Sequence, residues 1–266
     1  MREIAALFRA AWLTALSYRM NLLFSLAGLG AMLVPLYFVA GALQPVAAES
    51  IATEGGQYLG FLIIGIATLG LLSTALLGLP KAIIGGIGSG VLETMLATPA
   101  RLPALLFGFI AQEFSWGVVR TAVTLLIGAG MGMSMHLAGL PYATLAIALT
   151  LLAYFGMSLA LSAMILVFRT MGPLGNGIAT ASSLLGGVYY SVKVIPSWIQ
   201  QLSSVVPLTY GLRAARRALL SGAPFAELRP DLLAVAGLAV LALALGGALF
   251  AAALRHARRE GSLGQY

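Results

Sequence analysis

Two charged residues, Glu113 and Arg120, lie inside a long apolar segment of this 266-residue sequence. They are seven residues apart, so on a helix they share one face and are separated by about 10 Å along the axis, too far for a direct pair without bending. Charges within a membrane are costly and usually face protein or water. We therefore expect each residue to bond to neighbouring helices, and the alternative is that both line a transport path.

Residues suited to catalysis or to nucleotide binding are scarce. Cysteine is absent, which excludes a thiolate nucleophile and thiolate metal ligands. The glycine-rich stretch 85–90 lacks the Gly-Lys pair of a phosphate-binding loop, so we interpret it as a flexible connection. Residues 156–160 resemble a Gly-x-Ser-x-Gly elbow but lack the last glycine. The sequence thus predicts no catalytic residue, metal site or cofactor in this chain, and an intramembrane enzyme is disfavoured.

The composition predicts an all-α integral membrane protein. Hydrophobic residues make up 60% of the chain and charged residues 9%, and the mean hydropathy is +0.99. A soluble domain has roughly a quarter charged residues. The net charge of +7 is spread over short segments beside apolar runs, which indicates membrane topology rather than nucleic-acid binding. We expect any energy-converting domain to be on another polypeptide.

The charge-free runs predict six transmembrane helices in a single domain of residues 1–266, after an N-terminal interfacial helix. A span needs about 20 residues, so the uncharged run 121–168 must break, and Gly and Pro cluster at 130–141. Lys and Arg in the short loops place both termini in the cytoplasm of a multi-pass protein of the inner membrane. The predicted spans are 22–43, 58–79, 103–131, 142–168, 174–192 and 232–254.

Two segments between the spans are neither spans nor ordinary loops. Residues 81–101 contain four glycines and predict a short interfacial helix near 87–96. Residues 193–222 contain two short apolar stretches, which open at Pro196 and Pro207. This segment is rich in basic residues, which are typical of cytoplasmic loops, although the alternation of the predicted spans places it on the outer side of the membrane. We therefore expect it to re-enter the outer leaflet as short helices, and the alternative is that one span is miscounted.

The second of these stretches has an amphipathic pattern. Leu208, Leu212, Ala215 and Leu219 share one helical face, and Arg213, Arg216 and Arg217 lie off it. We interpret the arginines as snorkelling anchors, and the alternative is a site for anionic headgroups or an anionic substrate. Tyr189, Tyr190, Trp198 and Tyr210 are interpreted as an interfacial aromatic belt, with lining of a substrate path as the alternative.

Two stretches resemble a known transporter family. Residues 90–99, Gly-Val-Leu-Glu-Thr-Met-Leu-Ala-Thr-Pro, resemble the G-x-L-E-x-L-x-x-T-P stretch of ABC-2 type permeases of ATP-binding-cassette exporters. Residues 206–213, Val-Pro-Leu-Thr-Tyr-Gly-Leu-Arg, together with 219–222, resemble the P-L-T-Y-x-x-x-x-R region before that family's last span. Both stretches occur in the family's order, and the resemblance covers essentially the whole chain.

The resemblance implies the membrane subunit of an ATP-driven exporter that moves an amphiphile such as a drug, a lipid or a polysaccharide-like molecule. It implies that the subunit pairs with a second copy or a homologous permease, within membrane lipid, and that each subunit docks on an ATPase subunit that holds ATP and Mg. The residues it assigns to ATPase coupling are Gly90, Leu92, Glu93, Met95, Leu96, Thr98 and Pro99. Those it assigns to the re-entrant helices are Pro196, Trp198, Pro207, Tyr210 and Arg213.

Two alternatives remain open at this point. Glu93, which the resemblance makes a partner for a basic residue of the ATPase, could instead be a solvated interfacial charge or support its own helix. The chain could also be an ion-coupled secondary transporter, which needs midplane carboxylates or broken helices. Glu113 is the one midplane carboxylate available, and no internal repeat is obvious.

Overall fold

The computed structural model describes residues 19–88, 102–168 and 173–259, and these residues are helical with no strand among them. The all-α class predicted from composition is confirmed. Three 3-10 turns also occur, at Ala52–Glu54, Leu137–Gly139 and Val192–Val194. The helices are α1 (Arg19–Ala47), α2 (Tyr58–Gly88), α3 (Leu102–Gly130), α4 (Leu140–Phe168), α5 (Leu174–Leu185), α6 (Ser197–Ser203), α7 (Pro207–Leu220) and α8 (Phe225–Arg259).

Four of the described helical segments are long and apolar enough to cross a membrane, namely 27–47, 58–85, 137–168 and 225–256. Helix α3 is also long enough, because its 29 residues extend about 44 Å, but it carries Glu113 and Arg120. The predicted count of six spans is not confirmed. The clearest difference is α5, whose 12 residues extend about 18 Å, less than the hydrocarbon core of about 30 Å.

The end of α5 has a local cause. The predicted span 174–192 contains the pair Gly186 and Gly187, and Gly187 has a φ of +70°, a left-handed conformation that ends the helix. The backbone N–H of Gly186 donates to the Ser182 carbonyl at 2.8 Å, and the backbone N–H of Val188 donates to the Ser183 carbonyl at 3.2 Å. The helix is thus capped after Leu185, and the carbonyls that follow are free to bond to other parts of the chain.

Helix α2 is longer than predicted. It continues past Leu79 and through Pro80 to Gly88, so the first glycines of the predicted flexible connection are helical. Leu79 and Ile83 are buried and form a small apolar cluster with Ile165 of α4. The turns of α2 that precede the glycines are therefore stabilised by packing on α4. Residues 89–101 lie outside the described part of the chain.

The predicted break in the run 121–168 is confirmed. Helix α3 ends at Gly130, and Gly132 has a φ of +96° in the turn that follows. The Gln57 amide at the start of α2 donates to the Gly132 carbonyl at 2.8 Å, and its oxygen accepts from the Ser134 amide at 3.0 Å. These hydrogen bonds join the α3–α4 turn to the α1–α2 connection, so both lie at the same end of the helices.

The core is formed mainly by α2, α4 and α7. Phe61 and Ile64 of α2, Tyr154 of α4, and Leu208 and Leu212 of α7 are all fully buried. Helices α4 and α8 approach closely, because a Cβ on Gly246 would be 1.9 Å from the carbonyl oxygen of Gly156. By contrast, α1 packs along one side and most of its apolar stretch is exposed.

Candidate functional site

Helix α7 forms part of the core at one end of the bundle. The four apolar residues predicted to share a face, Leu208, Leu212, Ala215 and Leu219, are all buried. Pro207 occupies the first turn, where its missing N–H costs nothing. The hydroxyl of Thr209 donates to the Ser203 carbonyl at the end of α6, at 2.8 Å. A Cβ on Gly211 would be 1.8 Å from Thr150 Oγ1, so glycine allows α7 to lie directly on α4.

Arg216 is buried within this end of the bundle, with 3% of its side chain exposed. Its guanidinium donates to the Phe61 carbonyl at 3.0 and 3.1 Å, to the Gly187 carbonyl at 2.9 Å and to the Val188 carbonyl at 3.0 Å. It also lies 3.3 Å from the centre of the Phe61 ring. Both interpretations of Arg216, as a snorkelling anchor and as a site for anionic ligands, are therefore wrong, because the side chain does not reach solvent.

The charge of Arg216 is balanced by Glu54, in the connection between α1 and α2. Nη1 of Arg216 is 3.3 Å from Oε2 of Glu54, whose side chain is 8% exposed. Burial lowers the pKa of Arg216 to about 10, and Glu54 opposes that shift. The guanidinium is thus still charged at neutral pH. One side chain therefore connects α7 to α2, to the turn after α5 and to the α1–α2 connection.

Gly65 makes room for this arrangement. A Cβ at Gly65 would be 2.6 Å from the Val188 carbonyl oxygen and 2.7 Å from Nη2 of Arg216. The sequence shows that Gly65 lies within an apolar helix, but it does not show which residues lie against this glycine. Glu54 was visible too, as one of the few acidic residues outside the spans, and its pairing with Arg216 depends on the tertiary structure.

The other two arginines of α7 bond to α8. Arg213 forms an ion pair with Asp231, whose side chain is 7% exposed, and its Nε lies 3.0 Å from Oδ1 of that carboxylate. The hydrogen bond to Asp231 raises the pKa of Arg213. Arg217 pairs with Glu227 at 2.7 Å. Both arginine side chains stay partly exposed, 42% for Arg213 and 24% for Arg217, so their predicted role as snorkelling anchors, with an anionic-ligand site as the alternative, stays a prediction.

The remaining residues assigned to the re-entrant helices have separate positions. Pro196 precedes α6, and Trp198 on α6 is 64% exposed. The ring of Tyr210 lies beneath the Arg213 guanidinium, 5.3 Å from it. An exposed Trp198 is compatible with an aromatic belt. The residues assigned to ATPase coupling, Gly90, Leu92, Glu93, Met95, Leu96, Thr98 and Pro99, lie outside the described residues, and their role stays a prediction.

A cavity of about 280 Å³ lies between α1, α2 and α3. Glu113, Trp116 and Arg120 of α3 line it, so both predicted intramembrane charges face the same space. Trp116 is the central residue of α3, with Glu113 and Arg120 one turn to either side. Both charged side chains are exposed within the chain. Sequence reasoning placed them correctly on one face, and the structure adds that this face borders a cavity.

Several hydroxyl groups that line this cavity donate to backbone carbonyls. Ser73 donates to the Leu69 carbonyl at 2.9 Å, and Thr121 donates across to the Ala67 carbonyl of α2 at 3.2 Å. Thr124 donates to the Arg120 carbonyl at 2.9 Å. The protons of these hydroxyls are thus used within the chain.

Comparisons with known proteins agree with the resemblance of the two short stretches. A family model described as ABC-2 type transporter matches residues 2–220. The chain is similar to the inner membrane transport permease YadH of Escherichia coli strain K12 and to the protein of the same name from Shigella flexneri, each 21% identical over 171 residues. These matches cover 63% of this chain and 65% of each relative, just under two thirds of their length. The family model spans most of the sequence, and the chain therefore belongs to the ABC-2 type transporter family.

Proposed function

We propose that this chain is the permease subunit of an ATP-driven exporter in the inner membrane, with both termini in the cytoplasm. The observation that carries the proposal is the family match over residues 2–220, in a chain with four described segments able to cross a membrane. ATP and Mg are bound by a separate ATPase subunit. The permease supplies the path and changes its packing when the ATPase closes.

The described helices suggest how such a movement is transmitted. Residues 89–101, which carry the proposed coupling stretch, join the end of α2 to the start of α3. Leu79 and Ile83 pack the last turns of α2 on Ile165 of α4, so a displacement of the connection acts on packed helices rather than on a loose loop. Helices α2 and α3, which this connection joins, form walls of the cavity that contains Glu113 and Arg120. A push at one end of α2 and α3 would therefore change that cavity.

The exposed face of α1 supports a second subunit. Only 11% of the most apolar stretch of α1 is buried, and Phe24, Phe38 and Val46 are all largely exposed. Lipid can cover such a face, and so can another permease subunit. In our proposal a second copy or a homologous permease packs here, and an amphiphile such as a drug, a lipid or a polysaccharide-like molecule moves through or along the subunit interface.

Co-purification tests this proposal. The chain is expressed with the ATPase encoded beside it, as the unchanged sequence, as Glu93→Arg and with residues 90–99 replaced by a Gly/Ser linker. Glu49→Arg is the matched control, because Glu49 is an exposed carboxylate at the other end of α1 and α2. We expect a complex with the unchanged chain and the control, and loss of the complex or of coupled ATP hydrolysis with the other two.

The opposite result has a defined meaning. If no ATPase associates and the purified chain alone moves solute down an ion gradient, the permease proposal is wrong. The chain would then act as an ion-coupled transporter, and Glu113 would be the first carboxylate to test.

A further inference from the structure

We propose that the seam where α2, α4 and α5 meet, around Thr68, Ser158 and Ser182, is a closed polar passage within one subunit. It opens to water during transport and takes the uncharged, hydrogen-bonding part of the transported amphiphile, while the apolar part stays in lipid or at the subunit interface. The seam can carry a transported molecule only if the chain is a permease, so this proposal depends on the function proposed above.

Four buried hydroxyl groups in the described part of the chain lack a hydrogen-bond partner. They belong to Thr68 on α2 and to Tyr154, Ser158 and Ser162 on α4. Thr68 is 2% exposed and the other three residues are not exposed at all. Buried polar groups are nearly always hydrogen-bonded in folded proteins, and an unpaired one costs free energy. Such a cluster therefore calls for a reason other than the stability of this packing.

Another hydroxyl on α4 shows that a partner was within reach. Thr150 is equally buried, and its hydroxyl donates to the Ala146 carbonyl at 2.8 Å. A bond to the carbonyl four residues earlier is the usual one for serine and threonine within a helix. Ser158 and Ser162 lie on the same helix without it. Their hydroxyls are thus left available to a partner from outside α4.

The two unpaired serines of α4 lie on the side that meets α2. Ser158 and Ser162 are on the part of the helix surface that carries Ile165, away from Gly156, where α8 packs. Ile165 forms a buried cluster with Leu79 of α2. The serine hydroxyls are therefore part of the α2–α4 seam and not of the α4–α8 contact.

Thr68 of α2 and Tyr154 of α4 lie at about the same level of this seam. Both helices begin at the end of the bundle where Gln57 bonds to the α3–α4 turn, so they run in the same direction. Thr68 precedes Leu79 by eleven residues, and Tyr154 precedes Ile165 by eleven. Eleven residues are about three helical turns, so each pair shares a face. The seam thus has hydroxyl groups on both walls.

Helix α5 closes the seam with small residues. Its buried positions are Gly175, Ser182 and Ser183, and Ser182 lies beside the Tyr154 hydroxyl. None of these three side chains is a large apolar one. The free energy of burial is roughly proportional to the apolar area removed from water, so moving α5 away costs less than moving a helix with buried leucines. We therefore expect α5 to be the wall that opens.

Helix α2 connects this seam to the proposed ATPase contact. Residues 89–101 continue directly from its end at Gly88. Leu79, two turns earlier, packs on Ile165, and Thr68 lies further along the same face. A displacement of α2 by the ATPase would therefore act on the contact that holds the seam closed.

The walls of the seam select for uncharged polar groups. Hydroxyl groups both donate and accept hydrogen bonds, so they match the hydroxyl, ether and amide groups of a ligand, and water. Helices α4 and α5 contain no charged residue, and Lys81 near the inner end is the one charge on α2. A net charge that entered the seam would lose its hydration without gaining a counter-charge. Glu113 and Arg120 line the separate cavity between α1, α2 and α3.

Cysteine labelling tests the passage, and the chain has no cysteine of its own. Ser158→Cys and Ser162→Cys are purified in complex with the ATPase and, separately, alone in liposomes. Ser203→Cys is the matched buried control, because Ser203 lies outside the seam and donates to the Ile199 carbonyl at 3.2 Å. Ser204→Cys, at an exposed serine, provides the reference rate.

The probe is hydroxyethyl methanethiosulfonate, which is uncharged. The complex is labelled without nucleotide, during ATP hydrolysis and after trapping with vanadate, and the chain alone with and without an ion gradient. We expect both seam variants to react slowly in one condition and about tenfold faster or more in another, because a buried thiol is protected until its surroundings open. Ser203→Cys should react slowly throughout.

Charged probes test the chemistry of the passage. The sulfonatoethyl and trimethylammonioethyl reagents, each compared with its own rate at Ser204→Cys, should show a clearly smaller acceleration at Ser158→Cys, because the seam offers no counter-charge. Equal acceleration with all three reagents would overturn the preference for uncharged groups. Seam cysteines that react as slowly as Ser203→Cys in every condition, or at one unchanging rate, would overturn the passage. If a serine variant folds poorly, Thr68→Cys reports on the opposite wall.

The outcome is separable from that of the ATPase experiment. A chain that binds its ATPase but never exposes the seam cysteines keeps the permease assignment and loses the passage. A chain that binds no ATPase, but whose seam cysteines become reactive under an ion gradient, keeps the passage and loses the exporter assignment. Failure of both binding and labelling removes both proposals.

Discussion

Arg216 of α7 and Glu54 of the α1–α2 connection are buried together, with Nη1 and Oε2 3.3 Å apart. The same guanidinium donates to carbonyls of Phe61, Gly187 and Val188. A buried ion pair adds little stability when it is compared with an apolar pair of the same size, but the loss of one member is strongly destabilising. Arg216 therefore fixes how α2, α5 and α7 meet at this end of the bundle.

Replacement of this arginine tests its role. Arg216→Met is expected to destabilise the fold by about 3–5 kcal/mol, because Glu54 and three carbonyls lose their donor in a buried site. The measurement is the melting temperature of the purified protein in detergent. Adding Glu54→Leu to Arg216→Met should restore part of the loss, since the unpaired carboxylate is then gone.

Arg217→Met is the control for this experiment. Arg217 is partly exposed and pairs with the exposed Glu227, so its loss should cost no more than about 1 kcal/mol. Equal melting temperatures for Arg216→Met and Arg217→Met would show that the buried arrangement of Arg216 is wrong.

A second prediction concerns Gly65, which leaves space for the Arg216 guanidinium. Gly65→Ala places a methyl group 2.6 Å from the Val188 carbonyl oxygen, so we expect a lower melting temperature and a loss of about 2 kcal/mol or more, as for overpacking of a core. Gly70→Ala is the matched control on the same helix, because nothing lies within 4 Å of a Cβ there. It should be neutral or mildly stabilising. A thermal shift assay of the two variants side by side distinguishes them, and the reverse order would contradict the placement of Gly65.

The close contact between Gly211 of α7 and Thr150 of α4 can be tested with a compensating second substitution. Gly211→Ala brings a methyl group to within 1.8 Å of Thr150 Oγ1, and we expect a marked loss of folded protein by fluorescence-detected size-exclusion chromatography. Thr150→Ala removes that oxygen, so the double variant should recover much of the yield. If Gly211→Ala alone behaves like the unchanged chain, α7 does not lie on α4 as described.

The two ion pairs between α7 and α8 differ in burial, which makes a further matched comparison. Asp231→Asn is expected to cost about 1–3 kcal/mol, because the carboxylate is buried and its partner Arg213 is left without a counter-charge. Glu227→Gln removes the exposed member of the neighbouring pair and should cost less than about 1 kcal/mol. The melting temperatures of both variants at low and high salt check this. Only the exposed pair is expected to weaken appreciably with salt, because exposed charges are screened much more than buried ones.

Several features followed from the sequence alone because they depend on local chemistry. A charge-poor composition with long apolar runs cannot form a soluble domain, so the helical membrane class was predictable. The break between α3 and α4 was predictable because Gly130 and Gly132 disfavour a continuous helix. The shared face of Glu113 and Arg120 follows from helix periodicity, and the family follows from two short stretches in a characteristic order.

The tertiary structure decided the rest, because burial overrides local pattern. Arg216 has the spacing of a surface arginine on an amphipathic helix, yet it is buried, since Gly65 leaves space for it and Glu54 balances its charge. Helix α2 continues past Leu79 and packs Ile83 against Ile165 of α4, a contact that the local sequence pattern does not reveal. Periodicity states which residues share a helix face, but only the packing of three helices determines whether that face meets a core, a lipid or a cavity.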